Sequence, residues 1–267
     1  MTRLLLLLML GIFMSSVQAF EQDHAIWSGL LARHVHWNPA GTASTVDYDG
    51  MLAERPKLKA YLTQMSAVTR ADFDEWPQPQ RRAFLLNAYN AFTVELILGS
   101  YPEVKSIRDL GSVFSSPWKK RFFSLFGEKQ SLDGIEHGLI RGAKDYDDPR
   151  IHFAANCASI GCPALRPEAY LGARLDAQLD DQTRRFLRDR QRNRFDAATS
   201  TLYLSSIFDW YGDDFERSFR GSSSVASFVA SYPQELGVGQ PVQRRMAAGK
   251  FDIEYSKYDW SLNRTAP

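Results

Sequence analysis

The strongest constraint on the fold is a stretch from about Pro79 to Gly99 that is apolar on almost every side of a helix. A helix without a polar face must be surrounded by other elements, so this pattern predicts a buried central helix. Gly99 and Pro102 are typical of a helix end and of the residues just beyond it. The rest of the chain has to be arranged around this helix.

Two asparagines, Asn87 and Asn90, interrupt the apolar run one turn apart. A buried amide costs free energy unless it is hydrogen bonded, so we expect both to bond the backbone of a neighbouring segment. In that interpretation they lock a loop onto the helix. The alternative makes them polar walls of a pocket or donors to an oxyanion, so both are candidate binding residues.

The remaining patterns are mostly helical, and the strand signals are short and scattered. Helices are predicted around Ile26 to Leu31 and Leu58 to Met65, from an N-cap at Ser131 to Arg141, and over Leu175 to Arg188. The predicted strands are a hairpin within Arg121 to Lys129, Ile151 to Asn156, and Thr201 to Ser205, with a loop at Asn38 to Thr45 and a helix or turn at Ile207 to Phe215. The expected fold class is α+β, a single mostly helical domain with a small number of short β-strands.

The N-terminus has the parts of an export signal: a positive Arg3, an apolar stretch from Leu4 to Phe13, and small residues around Val17 to Ala19. We expect cleavage after Ala19 and a periplasmic mature protein. The alternative is an uncleaved anchor, although the run is shorter than the roughly 20 apolar residues of a bilayer span. The domain organisation is then a signal over residues 1–19, an N-terminal helix and loop over 20–45, a single domain over 46–258 and a C-terminal tail over 259–267.

The charge balance of the chain excludes some classes of partner. There are 32 Lys and Arg against 31 Asp and Glu, and removal of the signal takes away Arg3 and no acid. A neutral protein gives no reason to expect binding to nucleic acid or to an anionic membrane surface. No later segment is apolar enough to span a bilayer, so we expect no stable membrane insertion after signal cleavage. The expected partner is an unknown small molecule or peptide.

Both cysteines lie in one segment, Asn156 to Pro163 (NCASIGCP), directly after a predicted strand. An oxidising compartment favours a Cys157–Cys162 disulfide, and the glycine between them helps the short loop to bend. Alternatively, Cys157 is a nucleophile whose thiol pKa is lowered by a following turn or helix N-terminus. Inert buried thiols are a third interpretation. The spacing matches no zinc pattern, and we expect no metal and no cofactor.

Two histidines are candidate general bases. Asp133, His137 and Arg141 share one face of a predicted helix, which places a carboxylate to orient the imidazole. His152 lies in the predicted strand, five residues before Cys157, and is interpreted either as a satisfied core histidine or as a base that meets the cysteine in space. The other histidines, near the first helix and the mature terminus, are expected to be solvated: His24, His34 and His36.

Two further groups of charges have plainer interpretations. Arg150 follows a turn and is expected to form a structural ion pair with Asp148 or another acid such as Glu136. Three aspartates, Asp209, Asp213 and Asp214, stand among aromatic residues, as in carbohydrate-cleaving enzymes. One short segment cannot supply a pair of carboxylates flanking a glycosidic bond, so we set a glycosidase aside.

Five motifs resemble, in the same order, the family catalogued as domain of unknown function 547. They are Trp76–Pro77 with Ala83–Thr93 (AFLLNAYNAFT), Ser116–Lys119 (SPWK), Ser131–Arg141 (SLDGIEHGLIR), Asp148–Pro163 (DPRIHFAANCASIGCP) and Ile207–Phe215 (IFDWYGDDF). The resemblance extends from about Val46 to Tyr258 and implies one undivided domain, of a kind found in exported bacterial proteins and in plant proteins. It implies no reaction. The sequence departs from the pattern at Leu85–Leu86, where a Trp-Ile pair is expected, and this packing change touches no candidate site residue.

Two functions follow as hypotheses. As an enzyme, the protein is a thiol-dependent hydrolase or acyl transferase acting on a peptide or amide in the cell envelope, with Cys157 as nucleophile, His137 or His152 as base, and Glu136 or Asp133 orienting the base. As a non-enzymatic binding or assembly module, it uses the Cys157–Cys162 disulfide as a staple. In either case the candidate binding residues are Asn87, Asn90, Arg150, Trp118 and Ser159.

Overall fold

A computed structural model describes residues 20–112, 115–196, 198–249 and 251–266, and the export signal predicted for residues 1–19 lies outside the described residues. The α-helices are α1 Ala25–His34, α2 Tyr48–Ala53, α3 Arg55–Ala67, α4 Arg70–Glu75, α5 Gln78–Leu98, α6 Leu175–Arg188, α7 Ile207–Trp210, α8 Gly212–Phe215, α9 Val225–Ala230, α10 Pro233–Leu236 and α11 Gln240–Ala247. The strands are β1 Val35–Trp37, β2 Ser44–Val46, β3 Phe123–Leu125, β4 Glu128–Gln130, β5 Arg194–Asp196, β6 Thr201–Ser205 and β7 Asp252–Ser256. Shorter helices are a π-helix at Gly134–Ile140 and 3-10 helices at Ile107–Leu110, Pro117–Lys119, Pro149–Phe153 and Gly172–Arg174. The predicted mostly helical α+β class is confirmed.

The predicted central helix is α5, and its end at Gly99 is also confirmed. Almost every side chain from Ala83 to Leu98 is buried, as a helix without a polar face requires. The helix α3, the π-helix and the turn at Gly172–Arg174 pack against it. The N-terminal cap predicted at Ser131 is present too, since the Ser131 hydroxyl accepts from the Gly134 N–H at 3.0 Å.

The buried apolar side chains form two clusters. The larger surrounds α5 and extends to α1 and α3. The smaller is built mainly from phenylalanines: Phe153, Phe186, Phe208, Phe215 and Phe228. The 3-10 helix Pro149–Phe153 joins the two, because Ile151 packs in the first cluster and Phe153 in the second. His152 is held between them, at the junction of both cores.

The sheets are small. The pair β1 and β2 is antiparallel, so residues 44 and 45, predicted to be loop, belong to a strand. The pair β3 and β4 confirms the predicted hairpin. In the third sheet β6 is antiparallel to β5 and parallel to β7, which confirms the strand predicted at Thr201–Ser205.

The strand predicted at Ile151–Asn156 is wrong, because these residues begin in a 3-10 helix. Pro149 occupies a first helical position, where its fixed φ is already suitable. The Asp148 carboxylate caps the turn by accepting from the Arg150 N–H at 3.1 Å. The local proline and cap therefore overrode the apolar run that resembled a strand.

Two of the histidines expected to be solvated are buried. His24 is 2% exposed, and its Nδ1 lies 2.7 Å from the Tyr61 hydroxyl. His34 is 9% exposed, with Asp47 beside its ring. Only His36 has the exposed side chain that the sequence analysis expected. His24 packs against Tyr61 of α3 and His34 against Gly50 of α2, contacts that helix periodicity alone did not show.

The C-terminal segment, residues 258–265, runs back to the cysteine loop. The Ile160 N–H donates to the Ser261 carbonyl at 2.8 Å, and Arg264 forms a parallel bridge with Val46. This pairing brings the aromatic side chains of the segment to the site described next. Within the described ranges, no helix has both the length and the apolar character needed to cross a membrane.

Candidate functional site

A cavity of about 240 Å³ lies where the π-helix, the junction turn Pro149–Phe153, α7, the cysteine loop and the C-terminal segment meet. Its aromatic walls are Tyr89, Trp118, Trp210, Tyr211, Tyr258 and Trp260. Its reactive or ionisable groups are Asp133, Glu136, His137, His152, Cys157 and Cys162. All five candidate catalytic residues predicted from the sequence therefore line one cavity.

His152 is held at the cavity by a buried carboxylate. Its Nε2 lies 2.7 Å from Oδ2 of Asp214, and neither side chain is more than 1% exposed. Arg141 donates to the same Oδ2 at 2.6 Å, and the Tyr146 hydroxyl donates to it at 3.0 Å. The Tyr211 ring stacks on the imidazole with 3.8 Å between centroids. The ring of His152 is thus fixed in position and in plane.

The electrostatics of this pair favour a neutral histidine beside a charged aspartate. Burial lowers the pKa of His152, and the hydrogen bond to Asp214 opposes that shift only in part. Burial alone would raise the pKa of Asp214, but the hydrogen bonds from His152 and Arg141 outweigh it and hold that pKa below its usual range. Because Nε2 is hydrogen bonded to Asp214, Nδ1 is the ring nitrogen that is available to accept a proton.

Glu136 is the buried carboxylate of the cavity, with 5% of its surface exposed. The Tyr211 hydroxyl donates to its Oε1 at 2.6 Å. Burial, and secondarily the carboxylate of Glu136, raise the pKa values of Tyr211 and Tyr89, so both phenols keep their protons. In the part of the chain described, no lysine or arginine lines the cavity and none forms an ion pair with Glu136.

The two cysteines form an intramolecular disulfide, with their Cα atoms 6.2 Å apart. Hydroxyl groups surround it: the Ser159 Oγ lies 3.1 Å and the Tyr258 oxygen 3.2 Å from the sulfur of Cys157. Burial raises the pKa of Tyr258 to about 12, so its hydroxyl stays protonated. The disulfide interpretation of the sequence is confirmed, and these sulfurs lie at a cavity wall and not in a core.

A close contact in the cysteine loop requires glycine. A Cβ atom at Gly161 would lie 2.8 Å from the ring of Tyr258. The absence of a side chain lets this ring approach the loop and reach both sulfurs, the Cys162 sulfur at 3.1 Å. Gly161 therefore positions the hydroxyl donor as well as allowing the loop to bend.

His137 is the less constrained of the two histidines. The segment is a π-helix and not the α-helix that the spacing suggested, and Asp133 Oδ1 lies 3.8 Å from His137 Nε2, too far for a hydrogen bond. Instead Arg141 Nη1 donates to Nδ1 of His137 at 2.7 Å. Asp133 therefore lies only at ion-pair distance from His137, and Arg141 makes the hydrogen bond to the ring.

Two candidate binding residues are buried in the interior of the fold, and their side-chain amides form hydrogen bonds with backbone groups. Asn87 donates to the Tyr170 carbonyl at 2.8 Å and accepts from the Tyr170 N–H at 2.9 Å. Asn90 in the same way bonds the Ala154 carbonyl and the Asn156 N–H. The expected backbone contacts are confirmed, and neither residue lines the cavity.

Of the other three candidate binding residues, one forms a structural ion pair and two lie at the cavity or beside the disulfide. Arg150 forms the predicted ion pair with Asp148, at 2.7 Å. Trp118 lines the cavity and packs edge-on against Trp260. Ser159 is 1% exposed and reaches the site through its hydroxyl at the Cys157 sulfur.

Three residues that shape the site were not predicted as part of it: Asp214, Tyr258 and Trp260. Asp214 orients His152, a role different from the glycosidase carboxylate that its aromatic surroundings suggested. The sequence did place Asp214 three residues after Tyr211 in one short aromatic segment. In the structure both side chains contact the His152 ring. Tyr258 and Trp260 come from a segment predicted to end the domain or form a tail, and no local pattern placed them beside the cysteines.

Comparison with known protein families finds a match to part of the chain. The model of the family described as "Protein of unknown function, DUF547" matches residues 73–187 and confirms the resemblance. The matched range contains the motifs from Trp76 to Pro163, whereas Ile207–Phe215 lies beyond it. No curated protein and no solved structure matches the chain. Within the described residues, no cluster of three or more His, Cys, Asp or Glu side chains is arranged to hold a metal ion.

Proposed function

We propose that this protein, which carries a DUF547 region over residues 73–187, is a thiol-dependent hydrolase or acyl transferase whose nucleophile is Cys157. The disulfide is then its closed resting form, and a dithiol reductant opens it. The observation that carries the proposal is that Cys157 lines the same cavity as His152, whose ring is hydrogen bonded to the buried Asp214. A disulfide serving only as a staple has no need of a buried, carboxylate-oriented histidine at the same cavity.

The chemistry begins with reduction. A dithiol gives two electrons and two protons to the disulfide, leaving thiols at Cys157 and Cys162 and becoming a disulfide itself. Cys157 is the more exposed of the pair, since Cys162 is 4% exposed. The hydroxyls of Ser159 and Tyr258 already lie within hydrogen-bond distance of the sulfur, and such donors favour the thiolate.

Acyl transfer then needs a proton acceptor and a proton donor. Nδ1 of neutral His152 takes the thiol proton, and the Cys157 sulfur attacks the carbonyl carbon of an amide or ester. The carbon–sulfur bond forms, the bond to the leaving group breaks, and the protonated imidazole returns its proton to that group. Water or an acceptor amine then attacks the thioester, which releases the acylated product and regenerates the thiol.

A non-enzymatic binding module is the second candidate, and the disulfide is the observation that favours it. In the oxidised protein the Cys157 sulfur carries no proton and no negative charge, so it cannot attack a carbonyl. The aromatic and acidic cavity is present in that form. The two candidates therefore differ in whether reduction switches on a reaction.

The test uses p-nitrophenyl acetate, an activated ester. The reduced protein is expected to release one equivalent of nitrophenolate in a burst and to gain the mass of one acetyl group at Cys157. The oxidised protein and Cys157→Ser should show neither effect. Cys162→Ser cannot form the intramolecular disulfide and should be acylated without reductant. Acetylation of the reduced protein that is absent, or that persists in Cys157→Ser, would exclude Cys157 as the nucleophile.

We also propose that the protein acts in the cell envelope after export. The signal-like residues 1–19 and the disulfide support this, because disulfides persist in oxidising compartments. The mature protein should begin at Phe20. N-terminal sequencing of the native protein tests the proposal, and a sequence that begins at Met1 or Thr2 would contradict cleavage.

A further inference from the structure

Resting on the proposed function, we infer that the cavity selects an amide or peptide substrate that carries a positively charged ammonium group. Glu136 would bind this group, and the aromatic walls would pack around it. Ligand binding by the cavity can be measured in the oxidised protein, where Cys157 cannot react.

Glu136 is a buried carboxylate without a cationic partner among the described residues. A carboxylate with 5% of its surface exposed is normally paired with a cation, because burial of an unpaired charge is costly. Its partner at Oε1 is the neutral hydroxyl of Tyr211. Arg141 lies 5.2 Å from the centroid of the Tyr211 ring, but it is bonded to Asp214. Among the described residues, no lysine or arginine lines the cavity or forms an ion pair with Glu136, which leaves this carboxylate to pair with a cation from a ligand.

The neighbouring acid, Asp214, shows the contrast. It is as deeply buried, but Arg141 donates to it at 2.6 Å and His152 lies at 2.7 Å. The protein thus neutralises the carboxylate that orients the base and not the one that lines the cavity. Asp133, which also lines the cavity and is partly exposed, adds a second negative charge there.

The walls of the cavity include three tryptophan rings. Trp210 and Trp260 stack with 5.7 Å between centroids, and Trp118 meets Trp260 edge-on at 5.7 Å. Trp210 remains 47% exposed although it borders the cavity. Electron-rich ring faces attract cations, most strongly when the ring is that of tryptophan. Acidic groups and indole faces around one small cavity therefore favour an ammonium group over a neutral or anionic one.

The cavity volume restricts the size of that group. At about 240 Å³ it is below the usual range of drug-sized ligand sites, roughly 300–1,000 Å³. It suits one residue-sized group, with the rest of the substrate outside. A lysine-like side chain or an amino terminus fits this description.

The experiment compares two probes that differ only at the end of the side chain. Nα-acetyl-lysine amide carries an ammonium group on its ε-carbon, and Nα-acetyl-norleucine amide lacks that nitrogen and ends at the ε-carbon as a methyl group. Binding to the oxidised full chain is followed by calorimetry and by tryptophan fluorescence, since three tryptophans line the cavity. We expect the lysine probe to bind roughly tenfold tighter or more, as a charge-assisted hydrogen bond to a buried carboxylate implies.

Variants assign the preference to the cavity. Glu136→Gln keeps a group that can accept from Tyr211 and removes the charge, so the lysine preference should disappear. Glu128→Gln, at an exposed glutamate of β4, is the matched control and should keep it. Trp210→Leu changes a largely exposed ring, should remain folded and should lower the preference through the loss of the cation–π contact.

Two results would overturn the inference. One is equal binding of the two probes, or binding of neither, by the wild-type oxidised protein, a comparison that does not depend on any variant folding. The other is an unchanged lysine preference in a folded Glu136→Gln protein. Failure of the proposed acyl transfer would appear separately, as a reduced protein that p-nitrophenyl acetate does not acetylate while the oxidised protein still discriminates the probes.

Discussion

Nε2 of His152 and Oδ2 of Asp214 lie 2.7 Å apart at the junction of the two hydrophobic clusters, and water reaches almost none of either side chain. The pair links the junction turn to α8, from residues 62 positions apart in sequence. Orientation of a neutral imidazole by a buried carboxylate is the arrangement that general base catalysis uses.

The first prediction tests this pair through the base. In reduced His152→Gln, acetylation of Cys157 by p-nitrophenyl acetate should slow by roughly 10²–10⁴-fold, the usual contribution of a positioned base. His137→Gln should slow it much less, since the Asp214 carboxylate holds His152 and not His137. Burst rates across pH measure both effects. A larger loss in His137→Gln would assign the base to His137.

The second prediction concerns the stability role of Asp214. Asp214→Asn removes the charge that compensates Arg141, and removal of one partner of a buried pair costs about 3–5 kcal/mol. Urea unfolding should show this loss. The adjacent Asp213 is exposed, so Asp213→Asn is the matched control and should leave the midpoint almost unchanged. Equal midpoints for both variants would show that the ion pair contributes little to folding.

The third prediction counts thiols. Because the chain has two cysteines and they bond each other, alkylation of the native protein without reductant should add no label. After reduction under native conditions it should add two. Intact-mass measurement gives these counts directly. Two labels on the protein before reduction would contradict the disulfide and would leave Cys157 free in the resting state.

Local sequence patterns correctly predicted those elements whose structure depends mainly on their own residues. The helix α5 follows from an apolar run that continues on every side, and α6 begins at Leu175 and ends at Arg188 as predicted. The disulfide followed from two cysteines close together in the chain. The strand predicted at Ile151 failed because a proline and an aspartate cap select a 3-10 helix over the pairing that the apolar run suggested.

Only part of the site could be predicted from the sequence, because its contacts join residues that are far apart in the chain. Glu136, His152 and Cys157 came from motifs, and the structure brings them to one cavity. Asp214 and Tyr258 reach them through packing of α8 and of the C-terminal segment, and no local spacing encodes those contacts. Nor does helical periodicity predict that residues 134–140 form a π-helix, in which Asp133 and His137 lie 3.8 Å apart.

The fourth prediction concerns the asparagines of the central helix. Asn87→Leu leaves the N–H and the carbonyl of Tyr170 buried without partners, so it should destabilise the fold by roughly 1–3 kcal/mol. Asn90→Leu should do the same. The control is Thr93→Val, which loses only a bond to a carbonyl of the same helix and should cost less. Unchanged urea midpoints for both asparagine variants would show that these backbone contacts do not stabilise the fold.

The last prediction uses the pH dependence of stability at His24. Burial lowers the pKa of His24 to about 4, and the nearby charge of Asp23 only partly opposes this shift. In the unfolded chain the imidazole takes up a proton near its ordinary value of about 6.5. Between these two values the unfolded state binds more protons than the folded state, so stability falls as the pH is lowered.

The size of this effect follows from the width of the pH window. A difference of about 2.5 pH units corresponds to about 3 kcal/mol, present above about pH 6.5 and lost by about pH 4. His24→Gln keeps an acceptor for the Tyr61 hydroxyl and removes the titration, so its stability should fall less steeply across this window. His36→Gln, at an exposed histidine, serves as the control. Urea unfolding at several pH values measures the slopes, and identical slopes for His24→Gln and wild type would contradict a neutral buried His24.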